Sequence, residues 1–328
     1  MKPITAYGAA ASATFVVALL MVGGVAQAQP SASLRITEVN EASHPYRTWH
    51  CAQQAIDVRM IGRSLEVRVE GESRLLQQAI SASGARYVMP GDSATEFWSR
   101  GGQAHLSWSG RALPLCVEAG TLVTPLRASG NEPFWSVDYD GWRLTLRQPA
   151  QPERQFDVER SAPQAGHWAL HATGGQALSL DIQESLCVDS MSGMPRPYTM
   201  SLNMNEQHLQ GCGGDPERLL QGVRWQLKAV GGQAVSVPAW LEFLPEQRLA
   251  GSNGCNRLMG GYTLSGESLR FSQLGSTRMA CPPDIMAQAG EIDRLLAGVH
   301  GFSIDAQGRL HLTAPQGELL LQQVSEHR

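Results

Sequence analysis

Lysine is almost missing from this chain: of its 26 cationic side chains, only Lys2 and Lys228 are lysines. Wherever a cation is wanted the protein uses arginine, a planar fork that is always charged. The net charge of −4 lacks the basic excess that a nucleic-acid-binding protein needs. No GxSxG elbow, HExxH pair or phosphate-binding loop occurs, so the common hydrolase, metalloprotease and nucleotide-hydrolysing signatures are excluded. No CxxC is present, which removes a thioredoxin-like redox role. Long apolar runs are also missing, because the one such stretch, from Phe15 to Val25, falls well short of the roughly 20 residues a membrane span requires.

That stretch follows Met1-Lys2 and precedes Ala26-Gln27-Ala28, which fits the small-x-small rule for export. Residues 1–28 are therefore expected to be a signal peptide cut after Ala28. A retained anchor is the alternative, and the length of the run argues against it. The first cysteine is Cys51, so there is no cysteine at the cleavage point to carry a lipid. The expectation is a periplasmic protein, not lipidated and without a membrane span. Six cysteines, an even set in an exported chain, favour disulfides. Six allow 15 connectivities, but they fall into separated pairs, and joining neighbours gives Cys51 to Cys116, Cys187 to Cys212 and Cys255 to Cys281.

Apolar and polar residues alternate in Leu65 to Glu70, Ala104 to Trp108 and Trp142 to Leu146, and Gly, Ser and Pro break the runs. Period two predicts short antiparallel strands. Only Asp284 to Val299 reads as a helix, with Ile285, Ala289, Ile292, Leu295, Leu296 and Val299 on one face after Pro282 and Pro283. Turn-rich stretches near Glu118 to Thr121 and Gly211 to Glu217 divide the chain, with one cysteine pair in each part. The expected fold class is mainly β with a small α+β part. The segments are 29–119, an antiparallel β-barrel; 120–217, a β-rich unit; and 218–328, an α+β unit with one clear helix.

The most informative pair of motifs lies between Cys51 and Cys116. SASGARY spans Ser81 to Tyr87, and FWSRG spans Phe97 to Gly101. With Trp49-His50-Cys51 before them and Ala104-His105-Leu106 and Cys116 after, the order resembles the membrane-bound lysozyme inhibitor of c-type lysozyme (MliC) family. Its members carry YxC, SGxxY, FWxKG, an alanine-and-leucine strand and a closing cysteine. Two departures stand out: Trp49 replaces the tyrosine, and Arg100 replaces the lysine.

The resemblance implies a protein partner, a c-type lysozyme, whose catalysis uses two carboxyl groups flanking the scissile bond. In that family the serine of SGxxY and the lysine of FWxKG enter the cleft, and here those positions are Ser83 and Arg100. Ser83 offers a hydroxyl donor and Arg100 a charged fork for a carboxylate. Gly84, Arg86 and Tyr87 complete the expected lysozyme-binding set. The bland reading of Ser83 and Arg100 is a solvated turn and a surface cation, and the joint motif favours function over it; for Tyr87, Phe97 and Trp98 barrel core is the expectation, since aromatics in strands usually pack. Charges in this segment are mixed and do not favour either reading.

The third segment carries LAGSNGCNRLMGGYTLSG at Leu249 to Gly266 and STRMACPPDIM at Ser276 to Met286. These resemble the META domain of the HslJ heat-shock family, through Gly254-Cys255-Asn256, Tyr262, Thr277, Met279, Ala280 and Cys281. The resemblance implies a binding or structural module linked to envelope stress. The middle segment holds GNEPFWSV from Gly130, CVDSMSG from Cys187 and GCGG from Gly211, and it resembles a domain of bacterial envelope proteins that offers no biochemistry to transfer.

Other chemistry is thin. His167 and His171 lie in a strand-like stretch where the spacing is not expected to bring both imidazoles onto one face, and no third ligand accompanies them. Glu132, Asp138 and Asp189 read as isolated surface or turn carboxylates. The GSNGCN turn is either an anion cradle of backbone amides or a plain hairpin turn, and turn chemistry favours the latter. The expectation is a non-enzymatic inhibitor of c-type lysozyme, without cofactor, metal or nucleic acid, that protects peptidoglycan. The alternative is an envelope-stress or scaffold protein whose middle and META-like units bind envelope components.

Overall fold

The structure is a computed structural model that describes residues 44–175 and 177–324. The expected signal peptide, and its cleavage at Ala28, lie outside the described residues. Among these residues there is no helix long and apolar enough to cross a membrane.

The first sheet contains β1 (Arg47–Cys51), β2 (Gln54–Ile61), β3 (Ser64–Val69), β4 (Glu72–Ala79), β5 (Ala85–Met89), β6 (Asp92–Arg100), β7 (Gln103–Trp108), β8 (Arg111–Ala112) and β9 (Cys116–Glu118). Its order is β6-β5-β4-β3-β2-β1-β9-β7-β8, and pairing of β6 with β7 closes it into a barrel with β8 at the side. Strict alternation drives this closure: in β3, Leu65, Val67 and Val69 point inward while Ser64, Glu66 and Arg68 do not. Trp49, at the family's tyrosine position, is buried against Phe97 with ring centroids 5.3 Å apart in an edge-to-face contact. The departure at position 49 is thus a change of core packing. Cys51 and Cys116 are direct register partners on β1 and β9, and are bonded to each other.

The middle unit is a closed eight-stranded antiparallel barrel: β10 (Leu126–Asn131), β11 (Phe134–Tyr139), β12 (Arg143–Arg147), β13 (Arg154–Gln164), β14 (His167–Ala172), β15 (Leu178–Val188), β16 (Pro195–Met204) and β17 (Gln207–Gly213). Trp135, Tyr139, Leu144, Trp168, Leu180, Met200 and Leu202 are among the side chains that fill it. Cys187 is bonded to Cys212. A single 3-10 turn, Pro216–Leu219, leads onward.

The third unit contains β18 (Arg224–Val230), β19 (Gln233–Ala234), β20 (Trp240–Leu244), β21 (Arg248–Ser252), β22 (Arg257–Leu264), β23 (Leu269–Ser276), α1 (Pro283–Gly298), β24 (Gly301–Ile304), β25 (Leu310–Ala314) and β26 (Gly317–Gln323). Strand order is β23-β22-β21-β20-β18-β26-β25-β24, with β19 beside β18. The helix begins at Pro283, as the two prolines predict, and buries Ala289, Ile292, Leu295 and Leu296. Cys255 is bonded to Cys281.

The described residues all fall within one compact unit, because the segments between sheets are themselves packed. Leu122 is part of the middle barrel's core, and the Trp168 indole donates to the Gly120 carbonyl at 3.0 Å. The first and third sheets also meet directly: Gln53 N–H donates to the Gln221 carbonyl at 3.1 Å, and Arg218 reaches the Leu115 carbonyl at 2.9 Å. Gly222, at φ +93°, lies against the Cys51–Gln54 turn so closely that a Cβ would stand 2.4 Å from the Cys51 carbonyl oxygen.

Candidate functional site

The two motifs are brought together by register. Ala85 of β5 pairs with Ser99 of β6, so the turn just before β5 lies beside the end of β6. There β6 turns into β7 through Gly101-Gly102, with Arg100 and Gln103 as the flanking pair, the two-residue hairpin that glycine favours. Two tips therefore stand side by side, one carrying Ser83 and the other Arg100.

Gly84 is what allows the approach. It has φ +69°, and a Cβ there would stand 2.2 Å from the Ser99 carbonyl oxygen and 3.3 Å from Arg100 Cβ. Only glycine meets both demands, a left-handed backbone and contact with a neighbouring strand. The Ser83 carbonyl takes the Trp98 indole N–H at 2.9 Å and the Ser81 hydroxyl at 2.5 Å. These bonds hold the turn while leaving the Ser83 hydroxyl unused. Among the described residues neither the Ser83 hydroxyl nor the Arg100 guanidinium has a partner, and both residues are exposed.

The Arg100 tip is braced from behind. Glu118 N–H donates to the Gly102 carbonyl at 2.9 Å, Gly102 abuts Thr121, and the Gln103 amide donates to the Thr124 carbonyl and hydroxyl, each at 3.0 Å. The hairpin is seated on the segment that plugs the middle barrel.

The other expected contacts divide. Arg86 is committed to Glu96 in a two-pronged bond of 2.9 and 2.8 Å. That bond pushes the guanidinium further up and, against burial, holds the Glu96 carboxyl below its usual range. Tyr87 is buried, its hydroxyl near Met60 sulfur, so it supports the turn from inside the barrel. Trp98 corrects the core expectation: it is 40 % exposed while Phe97 is buried. Neighbours along a strand face opposite sides, so the alternation already held this answer. Ile80, 96 % exposed immediately before the Ser81–Gly84 turn, was missed. Nothing around it in the chain marks it, beyond its place just after β4.

Elsewhere the motifs prove structural. In the middle barrel the Asn131 amide donates to Asp189 at 3.2 Å and to the Ser190 hydroxyl at 3.0 Å, which joins GNEPFW to CVDSMSG. Asp189 is not an isolated surface carboxylate: it is buried. Burial pushes its carboxyl up, but bonds from the Ser192 N–H and hydroxyl, Asn131 and the Met191 N–H outweigh this and hold it low. Asp138 also has partners, Arg127 at 3.1 Å and Arg147. His167 and His171 sit at regular register on β14. This places them on the same face, contrary to the expectation, but about 13 Å apart at ~3.3 Å per residue, too far for a shared ion.

In the third unit the Asn253 side chain accepts the N–H groups of Cys255 and Asn256 at 3.1 and 2.7 Å. The amides an anion would need are taken, and GSNGCN is a closed turn. Asn256 in turn accepts the Met279 N–H at 2.9 Å, tying the two META-like motifs together.

Neither of the two large surface grooves is lined by Ser83 or Arg100. The site is a pair of braced projections that offer donors outward. Residues 49–114, which hold both tips, match the family model of the membrane-bound lysozyme-inhibitor of c-type lysozyme, and residues 218–327 match the META domain. Neither match reaches the middle barrel. Two solved structures are similar. One is the NMR structure of a protein from Burkholderia xenovorans, 28 % identical over 33 % of this chain and 86 % of its own, with TM-score 0.28. The other is an NMR structure 29 % identical over 33 % of this chain and 94 % of its own, with TM-score 0.29. No curated protein matches the chain.

Proposed function

We propose that this protein is an exported inhibitor of c-type lysozyme whose first barrel places Ser83 and Arg100 in the enzyme's cleft. The observation that carries the reading is that the stretch matching the inhibitor family presents these two donors side by side, braced, exposed and without partners among the described residues. The catalytic carboxyls of such an enzyme are acceptors for a hydroxyl and a guanidinium fork. Arginine at position 100 supplies the charge of the family's lysine in a longer, planar group. Arg86, neutralised by Glu96, sits beside the contact, and Ile80 and Trp98 form an apolar rim. Three disulfides suit an extracytoplasmic setting, and the inhibitor protects peptidoglycan there.

The test is lysis of Gram-positive cells by a c-type lysozyme in the presence of the mature chain. Inhibition is expected at micromolar protein, and Ser83→Ala and Arg100→Ala should each weaken it at least fivefold with unchanged thermal unfolding. Undiminished lysis with the wild-type chain would sink the inhibitor reading. Inhibition that survives both substitutions would sink the insertion mechanism. The META match favours the second reading, in which the third unit binds an envelope component, and that function would persist in Arg100→Ala.

A further inference from the structure

Trp142 is 84 % exposed, yet its backbone is firmly held. The Asp140 carboxylate accepts the N–H groups of Trp142 and Arg143 at 2.8 and 2.7 Å. The Tyr139 hydroxyl donates to the Gly141 carbonyl at 2.7 Å, and Val158 N–H donates to the Trp142 carbonyl at 3.2 Å. The turn from β11 to β12 is thus closed by its own aspartate and tied to the next strand. Folding asks nothing of the indole, because the barrel core is already filled by Tyr139 and Leu144 on either side. The turn holds this large apolar side chain in water without using it for the core.

A Cβ at Gly141 would stand 4.0 Å from the Thr124 hydroxyl, and that same hydroxyl takes the Gln103 amide at 3.0 Å. Gln103 is the register partner of Arg100. One residue, Thr124, therefore separates the Trp142 turn from the hairpin that carries Arg100. An ordinary protein interface buries about 800 Å² per partner, a disc of roughly 16 Å radius. A contact of that radius centred on Arg100 is wide enough to reach past Thr124 to the turn beyond it. Ile80 and Trp98 are exposed beside the tips on the first barrel, and Trp142 is exposed on the turn that Thr124 joins to the Arg100 hairpin.

We propose that the lysozyme-binding surface is composite, with the Asp140–Trp142 turn of the middle barrel contacting the same lysozyme molecule as Ser83 and Arg100, and Trp142 as its aromatic anchor. This rests on the inhibitor reading above. It gives the middle barrel a role in recognition, and tryptophan is the residue type most enriched among interface hot spots.

The experiment compares the mature wild-type chain with Trp142→Ala, Trp142→Phe and Arg100→Ala for binding to a purified c-type lysozyme by surface plasmon resonance. Hydrogen exchange of residues 139–143 is measured with and without lysozyme. Trp142→Ala should weaken binding at least tenfold, mainly through faster dissociation, with unchanged thermal unfolding; Trp142→Phe should retain most of the affinity. Lysozyme should slow exchange across the turn in the wild type. If Trp142→Ala binds within twofold of wild type and the turn gains no protection, while Arg100→Ala is weakened, the composite surface is refuted and the inhibitor reading stands. If the wild-type chain does not bind lysozyme, both fall together.

Discussion

Replacing Gly84 by alanine tests the geometry on which the site depends. Alanine at φ +69° adopts a left-handed backbone that costs about 1–2 kcal/mol, partly offset by ~0.5 kcal/mol from a stiffer unfolded chain. The added methyl would stand 2.2 Å from the Ser99 carbonyl oxygen, about 1 Å inside ordinary contact. The Ser81–Gly84 turn and the end of β6 must then separate, and overpacking of this kind costs about 1–3 kcal/mol. Gly91 provides the control, since it has φ +79° and nothing within 4 Å of its Cβ position. Gly91→Ala should therefore lose only about 1 kcal/mol and inhibit normally. Gly84→Ala should lose about 2–4 kcal/mol and at least tenfold in inhibition, because Ser83 no longer stands beside Arg100. Denaturant midpoints and inhibition constants measured on both variants decide the matter. Equal stability loss in the two, or full inhibition by Gly84→Ala, would refute the close approach of the tips.

Two further outcomes concern the rest of the molecule. Glu242, its side chain 9 % exposed, faces Arg111 of β8 at 2.6 Å and Arg224 at 3.9 Å. Arg111→Ala should therefore destabilise the chain by about 1–2 kcal/mol, and much less when Glu242→Gln is already present. Strict additivity in that double-mutant cycle would show that the pair does not couple the first and third sheets. His311 lies between Asp305 at 3.1 Å and Glu318; burial pulls its imidazole down, but the two carboxylates outweigh this and raise it. A raised imidazole stabilises fully below the unfolded histidine value of about 6.5, and this is lost as pH rises through the higher folded value. Asp305 is held well below its usual range despite burial, by His311 and Arg309, so its contribution is present above about pH 4 and fades only in stronger acid. Thermal unfolding between pH 6 and 8 should decline in the wild type and flatten in His311→Gln; parallel curves would contradict the pairing.

Much of this was legible in the residues. Alternation in β3 announced a half-buried strand, two prolines announced α1 within one residue of its start, and SASGARY with FWSRG marked two turns that the strand register sets side by side. What failed did so for identifiable reasons. Trp98 was assigned to the core on residue type, although its phase against Phe97 pointed outward. Asp189 looked isolated because its partner Asn131 is far along the chain and meets it only when the middle barrel closes. Ile80 carried no motif, and Trp142, in phase with the buried Leu144 and Leu146, read as an inward strand position, but β12 begins only at Arg143 and the turn before it leaves the indole exposed.

The β-rich class, the export-type cysteine usage, the residue types of the tips and the glycine at 84 could be read before any fold, because period, turn chemistry and motif order are local. Which donors stay free among the described residues is settled by folding. Register sets Ser83 beside Arg100, β5 and β6 bind Arg86 to Glu96, and the plugged middle barrel sets the Trp142 turn against Thr124 behind the Arg100 hairpin. Those relations join residues distant in the chain, and they come into being only when strands pair.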